Sequence, residues 1–256
     1  MDQQTFARLF DMTGRVVVVT GGTRGIGRAL AEGYALAGAR VVVASRKPEA
    51  CDETAEHLRG LGAEAIGVPA HLGELDDLQV IVDRAVDAFG GIDVVVNNAA
   101  TALAQPVGEY TPEAFEKSLN VNLRGPVFLV QAALPHLKKS EHAAVLNILS
   151  GAAFMFSSFV SMYGIGKAGL LSATRSAAAE LAPHGIRVNA LSPGTVDTDM
   201  VRANTPEMQK VMEEVMLLKR MASPDEIVGP ALMLTSDAGS FITGQVLLVD
   251  GGMVPH

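Results

Sequence analysis

Cysteine is nearly absent from this sequence. The 256 residues include one, Cys51, so neither an internal disulfide bond nor a four-cysteine zinc site can form. The six histidines show no H-E-x-x-H or comparable ligand spacing, and no G-x-S-x-G is present to make a serine a hydrolase nucleophile. We therefore expect no metal site and a protein that works in a reducing compartment, the cytoplasm.

Basic residues are also few. Lys and Arg total 20 against 28 Asp and Glu, which gives a formal net charge of −8. Such a negative field disfavours nucleic acids and anionic lipid surfaces as partners. Charged residues make up only 19% of the chain and apolar residues 48%, a composition typical of a folded protein and not of a disordered one.

Signals for export or membrane insertion are missing or interrupted. Residues 1–11 include acidic residues and only a short apolar patch, whereas a signal peptide needs a basic start and a longer apolar run. Residues 143–166 carry no charge and are long enough to cross a bilayer, but Asn147 and four serines interrupt them. We expect no membrane-spanning segment.

Apolar strands and helical segments alternate along the chain. Strands are predicted from β-branched runs without polar alternation, at 15–20, 40–44, 63–68, 92–96, 144–149, 186–191 and 245–249. Helical periodicity predicts helices at 26–36, 75–89, 112–137, 163–181 and 224–234. This alternation indicates a doubly wound α/β fold, a seven-stranded parallel sheet with helices on both faces. No linker divides residues 1–256, so we predict a single domain, with an irregular insertion at about 195–222 that acts as a substrate lid.

A glycine-rich turn follows the first predicted strand. Residues 20–27 read T-G-G-T-R-G-I-G and lead directly into a helical segment. Glycines allow close backbone approach, and the free amides at a helix start favour a pyrophosphate group. We predict a dinucleotide-binding turn, the alternative being a tight connection without a ligand. The candidate contacts in this turn are Gly21, Thr23, Arg24, Gly25, Ile26 and Gly27.

The end of the second predicted strand indicates which dinucleotide is bound. Folds that prefer NAD(H) place an acidic residue there for the adenosine ribose, but this chain has Ser45 followed by Arg46 and Lys47. Together with Arg24, these groups suit a 2′-phosphate, so the sequence predicts NADP(H) in preference to NAD(H). The alternative is that Arg46 and Lys47 are solvated loop charges.

A tyrosine and a lysine lie four residues apart in the fourth predicted helix. Tyr163 and Lys167 therefore share one helix face, and a cation near the phenol is expected to lower the tyrosine pKa. Ser150 ends a strand thirteen residues earlier and is expected at the same crevice. Because such a pair also occurs in helices of purely structural role, the spacing alone does not decide its function.

Six motifs stand in the order and spacing of a known family. They are T-G-x-x-x-G-x-G at 20–27, N-N-A at 97–99, Asn122 within N-L-R-G, Ser150, Y-x-x-x-K at 163–167 and P-G-x-V-x-T at 193–198. Over about residues 12–252 the chain resembles the short-chain dehydrogenase/reductases. The resemblance implies a Rossmann fold with strand order 3-2-1-4-5-6-7. It also implies a homotetramer built partly from helices near 112–138 and 163–182.

The same resemblance assigns roles to individual residues. Tyr163 is implied as the acid/base, Ser150 as the group that holds the substrate oxygen, and Lys167 as the residue that lowers the tyrosine pKa and binds the nicotinamide ribose. Asn122 is implied to anchor a water in the proton relay, with Asn120 as the competing candidate. Further cofactor contacts are implied at His71, Leu72, Asn98, Pro193, Gly194, Val196 and Thr198.

Two positions depart from the family pattern. Ala100 stands where N-N-A-G has its glycine, and His71 stands where an Asp or Asn commonly contacts adenine. With the Ser-Arg-Lys run at 45–47, these features resemble the NADPH-dependent carbonyl and retinal reductases.

An apolar stripe and an aromatic cluster indicate the kind of substrate. Met208, Met212 and Met216 repeat every four residues within the insertion, and residues 154–156 read F-M-F shortly after Ser150. Both suggest an apolar substrate, although a helical methionine stripe is also typical of core packing.

Three functions are consistent with these residues. The first is an NADP(H)-dependent oxidoreductase that interconverts a ketone or aldehyde with its alcohol. The second is a 3-oxoacyl carrier-protein reductase, which is disfavoured because Leu129 and His184 stand where that group usually has basic residues for the acidic carrier. The third is a non-catalytic regulator or scaffold that senses NADPH, disfavoured because the Ser, Tyr, Lys and Asn positions are all filled.

Overall fold

Strands and helices alternate in the computed structural model, which describes residues 2–158 and 160–254. The strands are β1 (Val16–Thr20), β2 (Arg40–Ser45), β3 (Ala65–Pro69), β4 (Val94–Asn97), β5 (Ala144–Ile148), β6 (Arg187–Pro193) and β7 (Val246–Val249). The α-helices are α1 (Gln3–Ala7), α2 (Gly25–Leu36), α3 (Pro48–Gly60), α4 (Leu75–Phe89), α5 (Pro112–Leu119), α6 (Gly125–Leu137), α7 (Ser161–Leu181), α8 (Asp199–Arg202), α9 (Pro206–Glu214) and α10 (Val228–Thr235).

Within the described residues, the seven strands form one parallel sheet in the order β3-β2-β1-β4-β5-β6-β7. The central strand β1 pairs with β2 on one side and with β4 on the other, so that Val17 lies opposite both Val41 and Val94. This order confirms the predicted Rossmann topology. Strands β2 and β3 lie on one side of β1, and β4 to β7 lie on the other. A crevice therefore opens between the carboxyl ends of β1 and β4, where such folds bind ligands.

Helices cover both faces of the sheet. On one face Val17 and Val19 pack in a cluster with Leu30 and Tyr34 of α2. On the other face Val16 and Val18 belong to a second cluster that includes residues of α4 and α6. All five residues of β1 are buried, which explains why this strand shows no polar alternation in the sequence.

The helix predicted at 112–137 is confirmed in its extent, but it is not α-helical throughout. It divides into α5 and α6 around a π-helical turn, Asn120–Arg124. The turn lies where the chain passes very close to the segment after β3: a Cβ atom on Gly125 would lie 2.2 Å from the Leu72 carbonyl oxygen. Single π turns occur inside helices at functional sites, and this one carries Asn122.

Helix α3 is not among the segments predicted from periodicity. Its buried residues are Cys51, Thr54, Ala55 and Leu58, a narrow face on an otherwise charged and polar helix. Its spacing is helical, but too few of these residues are large and apolar for the face to be recognised in the sequence.

No helix in residues 2–158 and 160–254 is long and apolar enough to cross a membrane. The uncharged stretch 143–166 instead passes through buried strand β5, a 3-10 turn at Gly151–Ala153 and the first residues of α7. Strand β5 is buried, whereas Phe154 and Phe156, between the 3-10 turn and α7, are exposed.

Candidate active site

The turn between β1 and α2 forms a cradle at the carboxyl edge of the sheet. Gly21 has φ +64°, and a Cβ atom on Gly27 would lie 2.1 Å from the Gly21 carbonyl oxygen. Arg24, at the N-cap of α2, is extended and makes no side-chain capping hydrogen bond. The first amides of a twelve-residue helix are thus left without a side-chain cap, as at anion-binding helix starts.

Strand β4 holds this cradle in place through Thr20 and Asn98. The Asn98 Nδ2 donates to the carbonyl oxygens of Thr20 (2.9 Å) and Gly21 (3.2 Å). The Thr20 hydroxyl accepts from the backbone amides of Asn98 (3.0 Å) and Ala99 (3.1 Å) and donates to Val96 O (3.2 Å). Thr20 was not singled out in the sequence, although a hydroxyl at the end of a wholly apolar strand is a signal for such a role.

The predicted phosphate-recognising groups lie together beside the cradle. The Thr23 hydroxyl donates to Ser45 Oγ at 3.1 Å, which joins the glycine turn to the end of β2. Arg46 is exposed, and no ion pair occupies it within the described part of the chain. Arg24 is 70% exposed and has a long contact of 3.9 Å with Asp199. Both guanidinium groups are thus available to an anion.

His71 and Leu72 follow β3 at the same edge. The His71 amide donates to Asp77 Oδ2 at 2.7 Å, and its ring Nδ1 accepts from the Gly73 amide at 3.1 Å. The imidazole is therefore held by the backbone just after it, with Nε2 as its other hydrogen-bonding atom. Leu72 is buried, its side chain packs in the core and its carbonyl oxygen lies against Gly125.

Ser150, Tyr163 and Lys167 converge at the end of β5. Ser150 follows the strand and caps the 3-10 turn, where its Oγ accepts from the Ala152 amide at 3.3 Å. Tyr163 lies in the first turn of α7 and hydrogen-bonds to Ser150. One helical turn later the Lys167 ammonium donates to the Ile148 carbonyl at 2.6 Å and lies 5.6 Å from the Tyr163 ring centroid.

Burial dominates the ionisation of this group. It raises the pKa of Tyr163, and the Ser150 hydrogen bond lowers it by less. Lys167 is not among the causes of this shift, so the predicted lowering of the Tyr163 pKa by Lys167 stays a prediction. Burial also lowers the pKa of Lys167 from 10.5 to about 8. A phenol with a raised pKa stays protonated at neutral pH and can donate its proton to an oxygen that gains negative charge.

Asn122 is fully buried in the π turn, next to the helix that carries Tyr163 and Lys167. Its Oδ1 accepts from the Thr101 amide (3.0 Å), and its Nδ2 donates to the Thr101 carbonyl (2.8 Å) and to Ser118 Oγ (3.2 Å). Helix α7 packs directly on it, because a Cβ atom on Gly166 would lie 2.8 Å from the Asn122 Cβ. Both N–H groups of the side-chain amide thus have partners, whereas Oδ1 accepts one hydrogen bond and keeps a second lone pair. The π turn brings Asn122 next to the helix that carries Lys167.

The P-G-x-V-x-T segment joins β6 to the cradle. Pro193 ends β6, and Gly194 packs against Asp250 at the end of β7. Val196 is buried and pairs with Ala222, while the Thr198 methyl would lie 3.1 Å from a Cβ atom on Gly25. The structure thus brings this segment to the start of α2, next to the glycine turn.

The methionine stripe does not form one helical face. Helix α9 ends at Glu214, so Met216 lies beyond it and is buried at 2% exposure against Gly251, whereas Met208 is 48% exposed. Met212 is half-buried, and its carbonyl accepts a hydrogen bond from Thr195 Oγ1 at 3.5 Å. The spacing of four is real, but tertiary contacts separate its members.

Metal chemistry has no visible basis in residues 2–158 and 160–254, which contain no group of three or more His, Cys, Asp or Glu placed to hold a metal ion. The arrangement instead combines a helix-start cradle for an anion, after β1, with a protonated phenol, a serine hydroxyl and a buried ammonium at the end of β5, two strands away. Such groups can bind a dinucleotide and exchange a proton with an oxygen atom.

The chain is similar to known oxidoreductases over most of its length. A family model described as enoyl-(acyl carrier protein) reductase matches residues 14–254. Human dehydrogenase/reductase SDR family member 4 is 36% identical over 244 residues, 94% of this chain and 88% of that protein. The L-rhamnose 1-dehydrogenase (NAD(P)(+)) of Azotobacter vinelandii is 37% identical, over 93% of this chain and 96% of that protein. Among solved structures, a short chain dehydrogenase from Burkholderia cenocepacia in complex with NADP superposes with a TM-score of 0.90 at 32% identity, over 94% and 98% of the two chains.

Proposed function

Because this chain belongs to the short-chain dehydrogenase/reductase family, and is an NAD(P)-dependent oxidoreductase that acts on CH–OH groups, we propose that it interconverts an apolar ketone or aldehyde with its alcohol and prefers NADP(H). The observation that carries the proposal is the convergence of Ser150, Tyr163 and Lys167 at the end of β5, at the same sheet edge as the glycine cradle.

The cradle fits a nicotinamide dinucleotide. Gly27 allows the Gly21 carbonyl to pack against the start of α2, and the uncapped start of this helix offers amides to a pyrophosphate. Ser45, Arg46 and Arg24 would hold the adenosine end, and Lys167 with residues 193–198 the nicotinamide end. When bound, the cofactor supplies or accepts the hydride. The chain's own residues manage the substrate oxygen and its proton.

In the reducing direction, the Ser150 and Tyr163 hydroxyls both donate hydrogen bonds to the carbonyl oxygen. Negative charge grows on this oxygen as the hydride reaches the carbon, so hydrogen bonds to it strengthen in the transition state. Tyr163 then gives its proton to the oxygen, which yields the alcohol and leaves a phenolate. The buried Lys167 ammonium lies 5.6 Å from the ring and stabilises that charge. Asn122, next to α7, anchors the water that returns the proton.

Apolar side chains at the crevice support an apolar substrate. Phe154 is 38% exposed just after Ser150, and Met200 and Met208 are 49% and 48% exposed in the segment we take to be the lid, residues 195–222. Exposed apolar groups on a segment beside the crevice can bury a hydrophobic substrate as that segment closes.

A carrier-protein thioester reductase is the second candidate, favoured by the description of the matching family model. The position at which a basic residue was sought, Leu129, is 1% exposed and packs in the core, so it cannot take part in docking of any kind. His184, the second position at which that group usually has a basic residue, is exposed at the surface.

Assembly and location are further parts of the proposal. Val127 and Phe128 of α6 and Ile165 of α7 expose 38%, 41% and 46% of their surface on the helices expected to form a homotetramer. Light scattering of the purified protein measures that state directly. The single cysteine supports a cytoplasmic location, which cell fractionation tests.

Tyr163→Phe tests the proposed chemistry. It removes the proton donor and leaves the ring. The kcat for ketone reduction should therefore fall by about 10²- to 10⁴-fold, while the Kd for NADPH stays within about twofold of the wild-type value. Tyr110→Phe, which deletes a hydroxyl that contacts Ser161 outside the proposed proton path, is the matched control. Activity of Tyr163→Phe within a few fold of wild type would remove Tyr163 from the mechanism. Comparing apolar ketones, sugars and acyl thioesters as substrates of the wild type separates the two candidate functions.

A further inference from the structure

The chain reverses directly after β7, in a turn formed by residues 250–254. Asp250 is buried, and its carboxylate accepts hydrogen bonds from the backbone amides of Gly252 and Val254, both at 2.9 Å. Gly251 and Gly252 have φ values of +63° and +82°, which side-chain-bearing residues rarely adopt. The buried carboxylate and the two glycines therefore fix this turn in one shape.

This turn directs Met253 toward the catalytic serine. A Cβ atom on Gly151 would lie 2.0 Å from the Met253 methyl carbon, so that methyl group occupies the space of a side chain at position 151. Gly151 immediately follows Ser150 and begins the 3-10 turn that Ser150 caps. Met253 is half-buried, so part of its side chain remains open.

The same turn also contacts the lid and the segment after β6. The Leu218 amide donates to the Gly251 carbonyl at 3.1 Å, and the Leu217 side chain lies over Gly252. A Cβ atom on Gly194 would lie 2.7 Å from the Asp250 carbonyl oxygen. The turn is thus held between three segments that border the crevice, and its position cannot shift without moving them.

We propose that Met253 is a specificity-determining residue of this enzyme: its thioether forms the wall of the substrate crevice beside Ser150 and limits the size of the carbonyl substituent that fits there. The inference rests on the proposed function, because it needs Ser150 to hold the substrate oxygen. Methionine suits this place, since its flexible, unbranched side chain fills an irregular gap and still adapts to different substrates.

The test compares pairs of substrates that differ by one methyl group on the carbonyl substituent. The parent compound is the best wild-type substrate found with NADPH, and the readout is the ratio of kcat/KM for the larger to the smaller compound. In Met253→Ala this ratio should rise by at least about tenfold, because one methylene in an apolar pocket is worth about 10- to 200-fold in kcat/KM. Met233→Ala makes the same chemical change in α10, where Met233 packs against the core, and should leave the ratio within about twofold.

Melting temperatures of all variants separate specificity from packing. If Met253→Ala does not fold, Met253→Leu keeps a similar volume but lacks the methyl carbon that reaches Gly151, and it should shift the ratio in the same direction. An active wild type whose ratio is unchanged in folded Met253 variants overturns the inference and leaves the proposed function standing. A wild type that reduces no carbonyl compound with NADPH or NADH overturns both.

Discussion

Lys167→Met is expected to stabilise the protein at neutral pH while it impairs catalysis. Lys167 is 2% exposed, and its ammonium is held by one protein hydrogen bond, to the Ile148 carbonyl. No carboxylate compensates its charge in the ion pairs of the described residues. Burial lowers the pKa of this group from 10.5 to about 8, so the folded chain holds the Lys167 proton less tightly than the unfolded chain does.

The magnitude follows from the two pKa values. Each pH unit of difference in pKa corresponds to about 1.36 kcal/mol, so at pH 7 the buried ammonium costs the native state about 3 kcal/mol. Between the folded pKa near 8 and the unfolded pKa of 10.5, the unfolded chain binds the proton and the native chain does not. The destabilisation of the wild type by Lys167 therefore becomes smaller as the pH rises through this window. At pH 10 it has fallen below about 1 kcal/mol.

Urea unfolding of wild type and Lys167→Met at pH 7 and at pH 10 measures this effect. The free energy of unfolding of the variant minus that of wild type should fall by about 2 to 3 kcal/mol between the two pH values. Tyr34, whose pKa burial raises, destabilises both proteins at high pH and cancels in the difference. Because Tyr163 lies beside Lys167, the comparison is repeated with Tyr163→Phe in both proteins. Lys138→Met, at an exposed lysine, should show a pH-independent difference. A constant difference for Lys167→Met would refute the reasoning. Its kcat should still fall, because methionine has no charge to stabilise the Tyr163 phenolate.

Two further substitutions test the cofactor and lid assignments. Arg46→Asp should lower the ratio of kcat/KM for NADPH over NADH by at least about tenfold, because a charge-assisted hydrogen bond to the phosphate is worth about 1.5 to 3 kcal/mol. The control is Arg84→Asp, which makes the same charge change at an exposed position of α4. Equal use of both cofactors by the wild type would contradict the assignment. Met212→Ser should flatten the dependence of kcat/KM on alkyl chain length if the lid buries the substrate, whereas a lower melting temperature with unchanged dependence would make Met212 structural.

The sheet was predictable because its strands carry one signal throughout. Strand β1 is buried at all five positions, and burial on both faces of a parallel sheet selects an uninterrupted run such as V-V-V-V-T. Helix α3 lacks an equally strong signal, since it buries only Cys51, Thr54, Ala55 and Leu58. Hydrophobic periodicity therefore predicts the elements of this chain that are extensively buried. It gives only a weak signal for a helix that covers the sheet's outer strands.

The π turn between α5 and α6 had no local signal. Residues 112–137 keep a helical pattern, and the cause of the π turn lies elsewhere in the chain. Gly125 meets the Leu72 carbonyl, and the Asn122 side chain is held by the backbone of Thr101. Contacts between segments this far apart depend on the packed structure, which spacing along one helix does not encode.

The candidate site was likewise predictable within one helix and not between segments. Tyr163 and Lys167 were identified together because a separation of four residues within one helix fixes their relative position. The direction of the Tyr163 pKa could not be obtained that way, since it depends on burial by other segments. Met253 gave no signal either: Asp-Gly-Gly at 250–252 predicts a turn, but not the segment toward which the turn directs the next side chain. Chemistry within one element can thus be derived from the sequence of this protein, whereas control of pKa and of substrate size comes from contacts between elements.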